Sequence, residues 1–198
     1  MSLPRFYPIF DDLAWLERAL PLGVRLVQLR LKDRDPGDLR DQIRRGLALA
    51  RSHGAALVVN DYWEIAIEEG ADWLHLGQED LDHADIPAIR RAGLRLGLST
   101  HDHAELDRAL ALAPNYVALG PVWPTILKKM KWHEQGLDRV TEWKALVGAT
   151  PLVAIGGLTP DRGRQALAAG ADVVSAVTDI TLNADPEGRM RDWLAVAP

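Results

Sequence analysis

The chain has 198 residues, of which 47% are hydrophobic and 26% are charged, and its formal net charge is -5. This composition is typical of a globular protein with a substantial core and excludes a disordered chain. The acidic charge argues against a protein that coats nucleic acid, and no cysteine is present to form a disulfide or a thiolate metal site. Because we find no membrane-length apolar run and no signal-peptide pattern, we expect a soluble, cytoplasmic protein.

Eight short apolar runs recur along the chain, with stretches of helical spacing between them. Most of these stretches begin with Asp or Thr, which cap helix N-termini, and several end at Gly. Apolar strands that alternate with amphipathic helices predict a parallel sheet, because crossover helices cover both of its faces. The runs occupy residues 5–10, 25–31, 55–60, 72–77, 95–99, 116–122, 151–157 and 172–177.

The number of strand and helix units indicates the fold class. Eight units within 198 residues predict an α/β protein with a closed (β/α)₈ TIM barrel, and an open doubly wound sheet is the alternative. No linker or low-complexity segment interrupts the chain, so we expect one domain over residues 1–198. In such a barrel the loops after the strands form the active face, which is where candidate site residues are sought.

The second run, LVQLRLK, alternates between apolar and polar residues. Its period of two places three apolar side chains on one face and Gln28, Arg30 and Lys32 on the other. A buried cation without a partner is costly, so Arg30 and Lys32 need either a carboxylate, such as Asp61 or Asp80, or an anionic ligand. The sequence leaves both alternatives open.

Carboxylates follow the third and fourth runs, as Asp61, next to Asn60, and Asp80. A single aspartate in such a place is usually a helix cap, and either residue could have that role. Two of them at neighbouring strand ends, opposite Arg30 and Lys32, favour a cation site instead. Oxygen ligands without a His or Cys cluster suit Mg²⁺, which one or two carboxylates and substrate phosphates typically bind. We therefore predict a site for magnesium and a diphosphate.

The last three runs end in residues that suit a phosphate group. Thr125 and Lys128 lie in the long connection after the sixth run, and Gly157 follows the seventh run at a helix start, where N–H groups can approach a phosphate. Val177 and Thr178 follow the eighth run, and the loops after strands seven and eight often bind phosphate in this fold. We predict that all five bind substrate.

The fifth run ends in LSTHD. Ser99 could donate a hydrogen bond to a phosphate oxygen, and His101 could transfer a proton. His101 is equally consistent with a surface histidine at the start of a helix. His75, inside the fourth run, is interpreted as a hydrogen-bonded core residue rather than as a ligand.

Taken in order, these motifs resemble those of the thiamine phosphate synthase family over nearly the whole chain. The resemblance implies a (β/α)₈ barrel that joins hydroxymethylpyrimidine diphosphate to hydroxyethylthiazole phosphate and releases pyrophosphate, with Mg²⁺ as cofactor. The expected partners are small phosphorylated substrates, without nucleic acid or membrane, and a homodimer is one oligomeric state to consider. The matching segments are VQLRLK, VVNDYWEIAIEEGADWLHLGQEDL, GLSTHD, YVALGPVWPT, VAIGGLTPDR and GADVVSAVTDI.

The resemblance also implies a role for each candidate residue. Gln28 would contact the pyrimidine or diphosphate region, and the diphosphate would be bound by Arg30, Lys32 and Asn60. Mg²⁺ would be held by Asp61 and Asp80, and the leaving pyrophosphate would be contacted by Ser99 and Lys128. The thiazole phosphate would be surrounded by Thr125, Gly157 and Thr178. The expected catalytic residues are Arg30, Lys32, Ser99 and Lys128.

Position 127 departs from the family pattern, which commonly reads Pro-Thr-x-Thr-Lys. Leu127 replaces the second threonine and removes a hydroxyl, whereas Thr178, in place of the usual serine, keeps one. Leu127 leaves open a non-catalytic relative that binds phosphorylated thiamine precursors. A second alternative is the related aminothiazole tautomerase, which shares the barrel and uses a histidine in the segment that matches STHD, so that His101 would have this role.

Overall fold

Eight parallel strands close into a barrel in the computed structural model, which describes residues 3–125 and 133–197. The last strand pairs with the first, with Phe6 opposite Val174 and Tyr7 opposite Ser175. The predicted closed barrel is therefore confirmed, and the open sheet is wrong because these two strands leave no unpaired edge in the described sheet. The strands are β1 Phe6–Phe10, β2 Leu26–Leu29, β3 Ala56–Asn60, β4 Trp73–Leu76, β5 Arg95–Thr100, β6 Tyr116–Leu119, β7 Leu152–Ala154 and β8 Val173–Ala176.

Helices alternate with the strands, and several begin at the predicted caps. The side chains of Asp12, Asp35, Asp102 and Thr159 each accept a hydrogen bond from an N–H of the first helical turn. None of the helices in the described ranges has both the length and the apolar character needed to cross a membrane. The helices are α1 Leu13–Ala19, α2 Pro36–Ser52, α3 Trp63–Glu68, α4 Ile86–Arg91, α5 His103–Ala111, α6 Gly136–Val147, α7 Pro160–Ala168, α8 Thr178–Thr181 and α9 Pro186–Val196.

Buried side chains form two layers, one inside the barrel and one between the strands and the helices. On β2, Val27 and Leu29 lie in the outer layer, so the alternating Gln28 points into the barrel, as its period of two predicts. Trp143 and Trp193 are completely buried in the outer layer, and each contributes about 2 kcal/mol or more through its burial. The inner layer consists of Tyr7, Leu26, Val58, Trp73, Tyr116, Ala118, Val153 and Val173.

The carboxyl ends of all eight strands lie at one rim, because the strands are parallel. The connection from β6 to α6 starts at this rim and is anchored to the end of β7. The Val122 N–H donates to the Ile155 carbonyl oxygen at 2.9 Å, and the Trp123 N–H donates to that of Gly156 at 3.0 Å. The residues that follow β6 and β7 are therefore held side by side.

The pattern of apolar residues does not predict α8, since a helix of four residues is too short to show a period.

Candidate active site

The two cations that follow β2 have different surroundings. Lys32 forms an ion pair with Asp61, which is the carboxylate alternative that the sequence leaves open for this residue. Arg30 is half-buried and forms no ion pair with any carboxylate in residues 3–125 and 133–197. Its guanidinium is close enough to His75 to lower the pKa of that imidazole. Arg30 is thus a cation at the rim that remains available to an anionic ligand.

Asn60 and Asp61 lie at the end of β3, next to the end of β4. Asn60 is buried and pairs in register with His75, whose carbonyl oxygen accepts a hydrogen bond from the Asp61 N–H at 3.0 Å. Asp61 has a φ of 66°, in the left-handed region that Asp tolerates better than most residues. This backbone conformation turns the carboxylate towards β4 and Lys32 instead of along α3. Helix α3 is capped at Tyr62, without a side-chain hydrogen bond, so the cap interpretation of Asp61 is wrong.

Asp80 completes an acidic pair with Asp61. Its carboxylate accepts a hydrogen bond from the Gly77 N–H at 2.7 Å and lies within hydrogen-bonding distance of the Asp61 carboxylate. Burial raises the pKa of Asp80 above its ordinary value, and the negative charge of Asp61 raises that pKa further. The two strand ends therefore bring two carboxylates together, as the sequence predicts.

This acidic pair fits a divalent cation. Two carboxylates in contact repel each other, and a cation between them would remove that repulsion. In the described part of the chain no group of three or more His, Asp or Glu side chains could hold a metal ion, so a cation at this pair would need further ligands from water or from a substrate. Mg²⁺ suits such a site, because it typically binds one or two carboxylates and takes its other ligands from water and substrate phosphates.

Ser99 lies at the end of β5, and two side chains of the β4 region hold it in place. Its hydroxyl oxygen is 2.8 Å from His75 Nε2, and its carbonyl oxygen accepts a hydrogen bond from Gln78 Nε2 at 2.7 Å. His75 is buried, which lowers the pKa of its imidazole from 6.5 to about 4, and its Nδ1 is 2.8 Å from the Tyr116 hydroxyl. The prediction that His75 is a hydrogen-bonded core residue is confirmed.

His101 follows Ser99 on the same loop and has a carboxylate partner. Its Nδ1 lies 2.7 Å from Oε2 of Glu105, and its main-chain N–H donates to the same oxygen at 2.8 Å. The loop and the first turn of α5 thus orient the imidazole at the rim. The arrangement is compatible with proton transfer by His101 as well as with a purely structural contact.

A small cleft of about 40 Å³ opens between the ends of β7 and β8. Thr125, Gly157, Val177 and Thr178 all line it, so the structure brings together these four predicted residues. Gly157 has a φ of 66°, and a Cβ there would lie 2.4 Å from the Pro124 carbonyl oxygen, so glycine is required for the close approach of the two loops.

Ser175 also lines this cleft, although the sequence pattern does not single it out. Its hydroxyl is buried and has no hydrogen-bond partner among residues 3–125 and 133–197. Lys128 and Leu127 lie outside the described residues, and the predictions for both remain predictions.

The sequence also misses the side chains that support Ser99, namely Tyr7, Tyr116 and Gln78. One signal could have found Tyr116, because Gly97 is a glycine inside the β5 strand. A Cβ at Gly97 would lie 1.9 Å from Tyr116 Cζ. A glycine within a strand often marks such a close approach.

Comparisons with known proteins agree with this arrangement. A family model described as thiamine monophosphate synthase matches residues 7–180. A thiamine-phosphate synthase of Rhizobium etli is 60% identical over 98% of this chain and 96% of its own length, and one of Klebsiella pneumoniae is 45% identical over 96% and 90%. The structure of a thiamine phosphate pyrophosphorylase from Pyrococcus furiosus shares the fold, with a TM-score of 0.86 at 23% identity over 97% of this chain and 94% of that one. The chain therefore belongs to the thiamine monophosphate synthase family.

Proposed function

We propose that the chain is a magnesium-dependent thiamine phosphate synthase, which joins hydroxymethylpyrimidine diphosphate to hydroxyethylthiazole phosphate. One observation carries the proposal. The rim has two polar regions. At β2–β5, Arg30 forms no ion pair within residues 3–125 and 133–197, and the Asp61 and Asp80 carboxylates lie together. At β7–β8, a cleft is lined by Gly157 and Thr178. The reaction needs these two regions, because one substrate carries a diphosphate and the other carries a phosphate.

In this proposal the β2–β5 region binds the pyrimidine diphosphate. Arg30 and Lys32 would bind the diphosphate through their positive charges, and Ser99, at the end of β5, would donate a hydrogen bond from its hydroxyl. Mg²⁺ held by Asp61 and Asp80 would neutralise part of the charge that develops on the departing pyrophosphate. Gln28 is buried within the barrel and donates to Tyr7 at 2.6 Å, and in this proposal it would contact the pyrimidine ring.

The bond changes need little chemistry from the protein. The carbon–oxygen bond to the diphosphate breaks, and its electron pair leaves with the pyrophosphate. The electron-rich aminopyrimidine carries the positive charge on its methylene carbon, and the thiazole nitrogen donates its lone pair to that carbon. Since this nitrogen has no proton to lose, no general base is required. Positioning and electrostatic stabilisation by Arg30, Lys32 and Ser99 would then supply the rate.

The second region would bind the thiazole phosphate. The cleft presents the main chain of Gly157 and Val177 and the hydroxyl of Thr178, groups that suit a phosphate. Thr125 lines the same cleft. In this proposal Lys128, three residues later in the sequence, would contact the leaving pyrophosphate.

The test of this function is product formation by the purified protein. Both substrates are mixed with the protein and MgCl₂, and thiamine phosphate and pyrophosphate are measured by chromatography and a coupled assay. Controls omit each substrate in turn or replace Mg²⁺ by EDTA. We expect the two products in equal amounts and only when all components are present. Tight binding of both substrates in calorimetry without any product would favour the non-catalytic alternative.

The tautomerase alternative is separated by one substitution. His101→Gln keeps a polar side chain beside Glu105 but removes the titrating imidazole. A synthase that needs no general base should keep most of its activity in this variant, whereas a tautomerase that uses His101 should lose its activity.

We further propose a single-domain protein that works in the cytoplasm on small phosphorylated molecules and binds neither nucleic acid nor membrane. Sedimentation analysis would distinguish a monomer from a homodimer.

A further inference from the structure

A chain of hydrogen bonds crosses the interior of the barrel from β2 to β5. Gln28 Nε2 donates to the Tyr7 hydroxyl at 2.6 Å, and the hydroxyl oxygens of Tyr7 and Tyr116 are 2.9 Å apart. The Tyr116 oxygen is 2.8 Å from His75 Nδ1, and His75 Nε2 is 2.8 Å from Ser99 Oγ. The first four residues are buried, and the fifth lies at the rim.

One direction of this chain gives every proton in it an acceptor. The amide nitrogen of Gln28 can only donate, so the Tyr7 oxygen accepts from it, and the Tyr7 proton finds an acceptor in the chain only if it goes to Tyr116. The Tyr116 proton then goes to His75 Nδ1, which must therefore be the unprotonated nitrogen. A neutral imidazole with an accepting Nδ1 carries its proton on Nε2, which faces Ser99. Ser99 Oγ thus accepts from His75, and its own proton is free to point elsewhere.

We propose that His75 is a positioning residue, held by Tyr116 in the tautomer with its proton on Nε2, so that the Ser99 hydroxyl donates its proton to the anion bound at the rim. The inference rests on the proposed function, which identifies that anion as the diphosphate of the pyrimidine substrate. A donor that already points at the departing group loses no orientation energy as charge develops there. With the other tautomer, Ser99 would donate to His75 and turn an oxygen lone pair towards the anion.

The packing around Tyr116 holds its hydroxyl in place independently of the hydrogen bonds. Gly97 leaves the space for its ring, since a Cβ at that position would lie 1.9 Å from Cζ. The ring stacks on His75 with centroids 5.6 Å apart and meets Tyr7 edge to face at 5.9 Å. Tyr116→Phe should therefore keep the ring in its position and remove only the donor to Nδ1.

The tautomer can be measured directly in the whole protein. Two-bond ¹H–¹⁵N correlation spectra of histidine-labelled protein show which ring nitrogen carries the proton, and the His75 signals are assigned with His75→Gln. We expect the Nε2–H tautomer in the unsubstituted protein and a mixture of tautomers, or the Nδ1–H form, in Tyr116→Phe. An Nδ1–H tautomer in the unsubstituted protein would overturn the proposal.

Kinetics then test whether the tautomer matters for Ser99. We expect Tyr116→Phe to lower kcat at least about tenfold, with little change in the KM of the pyrimidine substrate, as for the loss of a hydrogen bond to a charged group. The same change in a Ser99→Ala background should have no further effect on kcat, because the hydroxyl that it orients is gone. An equal loss in both backgrounds, or no loss in either, would contradict the proposed role.

Thr100→Val is the matched control on the same strand. Thr100 is buried beside Ser99, but its hydroxyl faces the helices, where it donates to the Ala118 carbonyl at 3.1 Å and accepts from Trp143 Nε1 at 2.9 Å. The variant also loses a buried, hydrogen-bonded hydroxyl, so we expect lower stability with kcat within about twofold of the parent. A fall in kcat as large as that of Tyr116→Phe would mean that any loss of buried hydroxyls slows the reaction, which would refute a specific role for the chain.

The two proposals fail in different ways. If the unsubstituted protein makes no thiamine phosphate, the proposed function fails, while the spectra still decide whether the hydrogen-bond chain selects Nε2–H. If the protein is active and its His75 carries the proton on Nδ1, only the positioning role fails. The spectrum of the unsubstituted protein decides the tautomer even if Tyr116→Phe does not fold.

Discussion

Acidification should destabilise the fold through His75. The side chain is buried in the barrel, and its burial, with a smaller contribution from Arg30, lowers the pKa of the imidazole from 6.5 to about 4 despite the opposing charge of Asp61. In the unfolded chain the imidazole has its ordinary pKa. As the pH falls below 6.5, the unfolded state therefore takes up a proton that the folded state does not bind. The free energy of unfolding is unaffected above this pH and decreases as the pH falls towards 4.

The size of the effect follows from the difference between the two pKa values. A shift of one pKa unit corresponds to about 1.4 kcal/mol, so the full loss of stability is about 3 kcal/mol, and about 2 kcal/mol of it should be present at about pH 5. This is a large part of the stability of an ordinary domain, which is about 5–15 kcal/mol. Burial of one neutral imidazole thus makes the barrel sensitive to mild acid.

The assay compares urea unfolding of the parent protein and of His75→Gln at several values between about pH 7.5 and about pH 5. Other groups, among them Asp80, titrate in both proteins, so the difference between the two free energies of unfolding isolates residue 75. We expect the parent to lose about 2 kcal/mol relative to the variant over this range. A difference that does not change with pH would show that the folded imidazole titrates at its ordinary pKa, and the reasoning would be wrong.

Three further substitutions test the proposed binding regions. Asp61→Asn removes the carboxylate but keeps a residue that tolerates the left-handed backbone. We expect Mg²⁺-dependent turnover to fall at least about 100-fold with little change in Tm. Unchanged turnover would show that Asp61 is not a metal ligand. Arg30→Gln should raise the KM of the pyrimidine diphosphate at least about tenfold, whereas Arg45→Gln, on the exposed face of α2, should leave it unchanged. Gly157→Ala would place a Cβ 2.4 Å from the Pro124 carbonyl oxygen and should raise the KM of the thiazole phosphate, and equal KM values for variant and parent would exclude that role. Its control, Gly93→Ala, has a similar positive φ with no atom within 4 Å of the added Cβ, so it should cost stability alone.

The sequence by itself determined the order and type of the main elements. The period of two on β2 identified Gln28 as an inward-facing residue and placed Val27 and Leu29 under the helices, because alternate side chains of a strand must point to opposite faces. Cap residues and glycines marked where most helices begin and end, because these signals act within a few residues along the chain. The motifs at the strand ends sufficed to recognise the family.

Tertiary structure decided what depends on contacts between distant parts of the chain. The same local pattern is compatible with an open sheet, and only the pairing of β8 with β1 closes the barrel. Asp61 is a neighbour of Asp80 instead of a helix cap because its backbone turns towards β4, which a list of residue types does not reveal. Tyr7 and Tyr116 are 109 positions apart, and their hydrogen bond exists only because the closed barrel points both side chains at one interior space. Local propensity is set by neighbours in sequence, whereas the hydrogen-bond partners of His75 are set by neighbours in space.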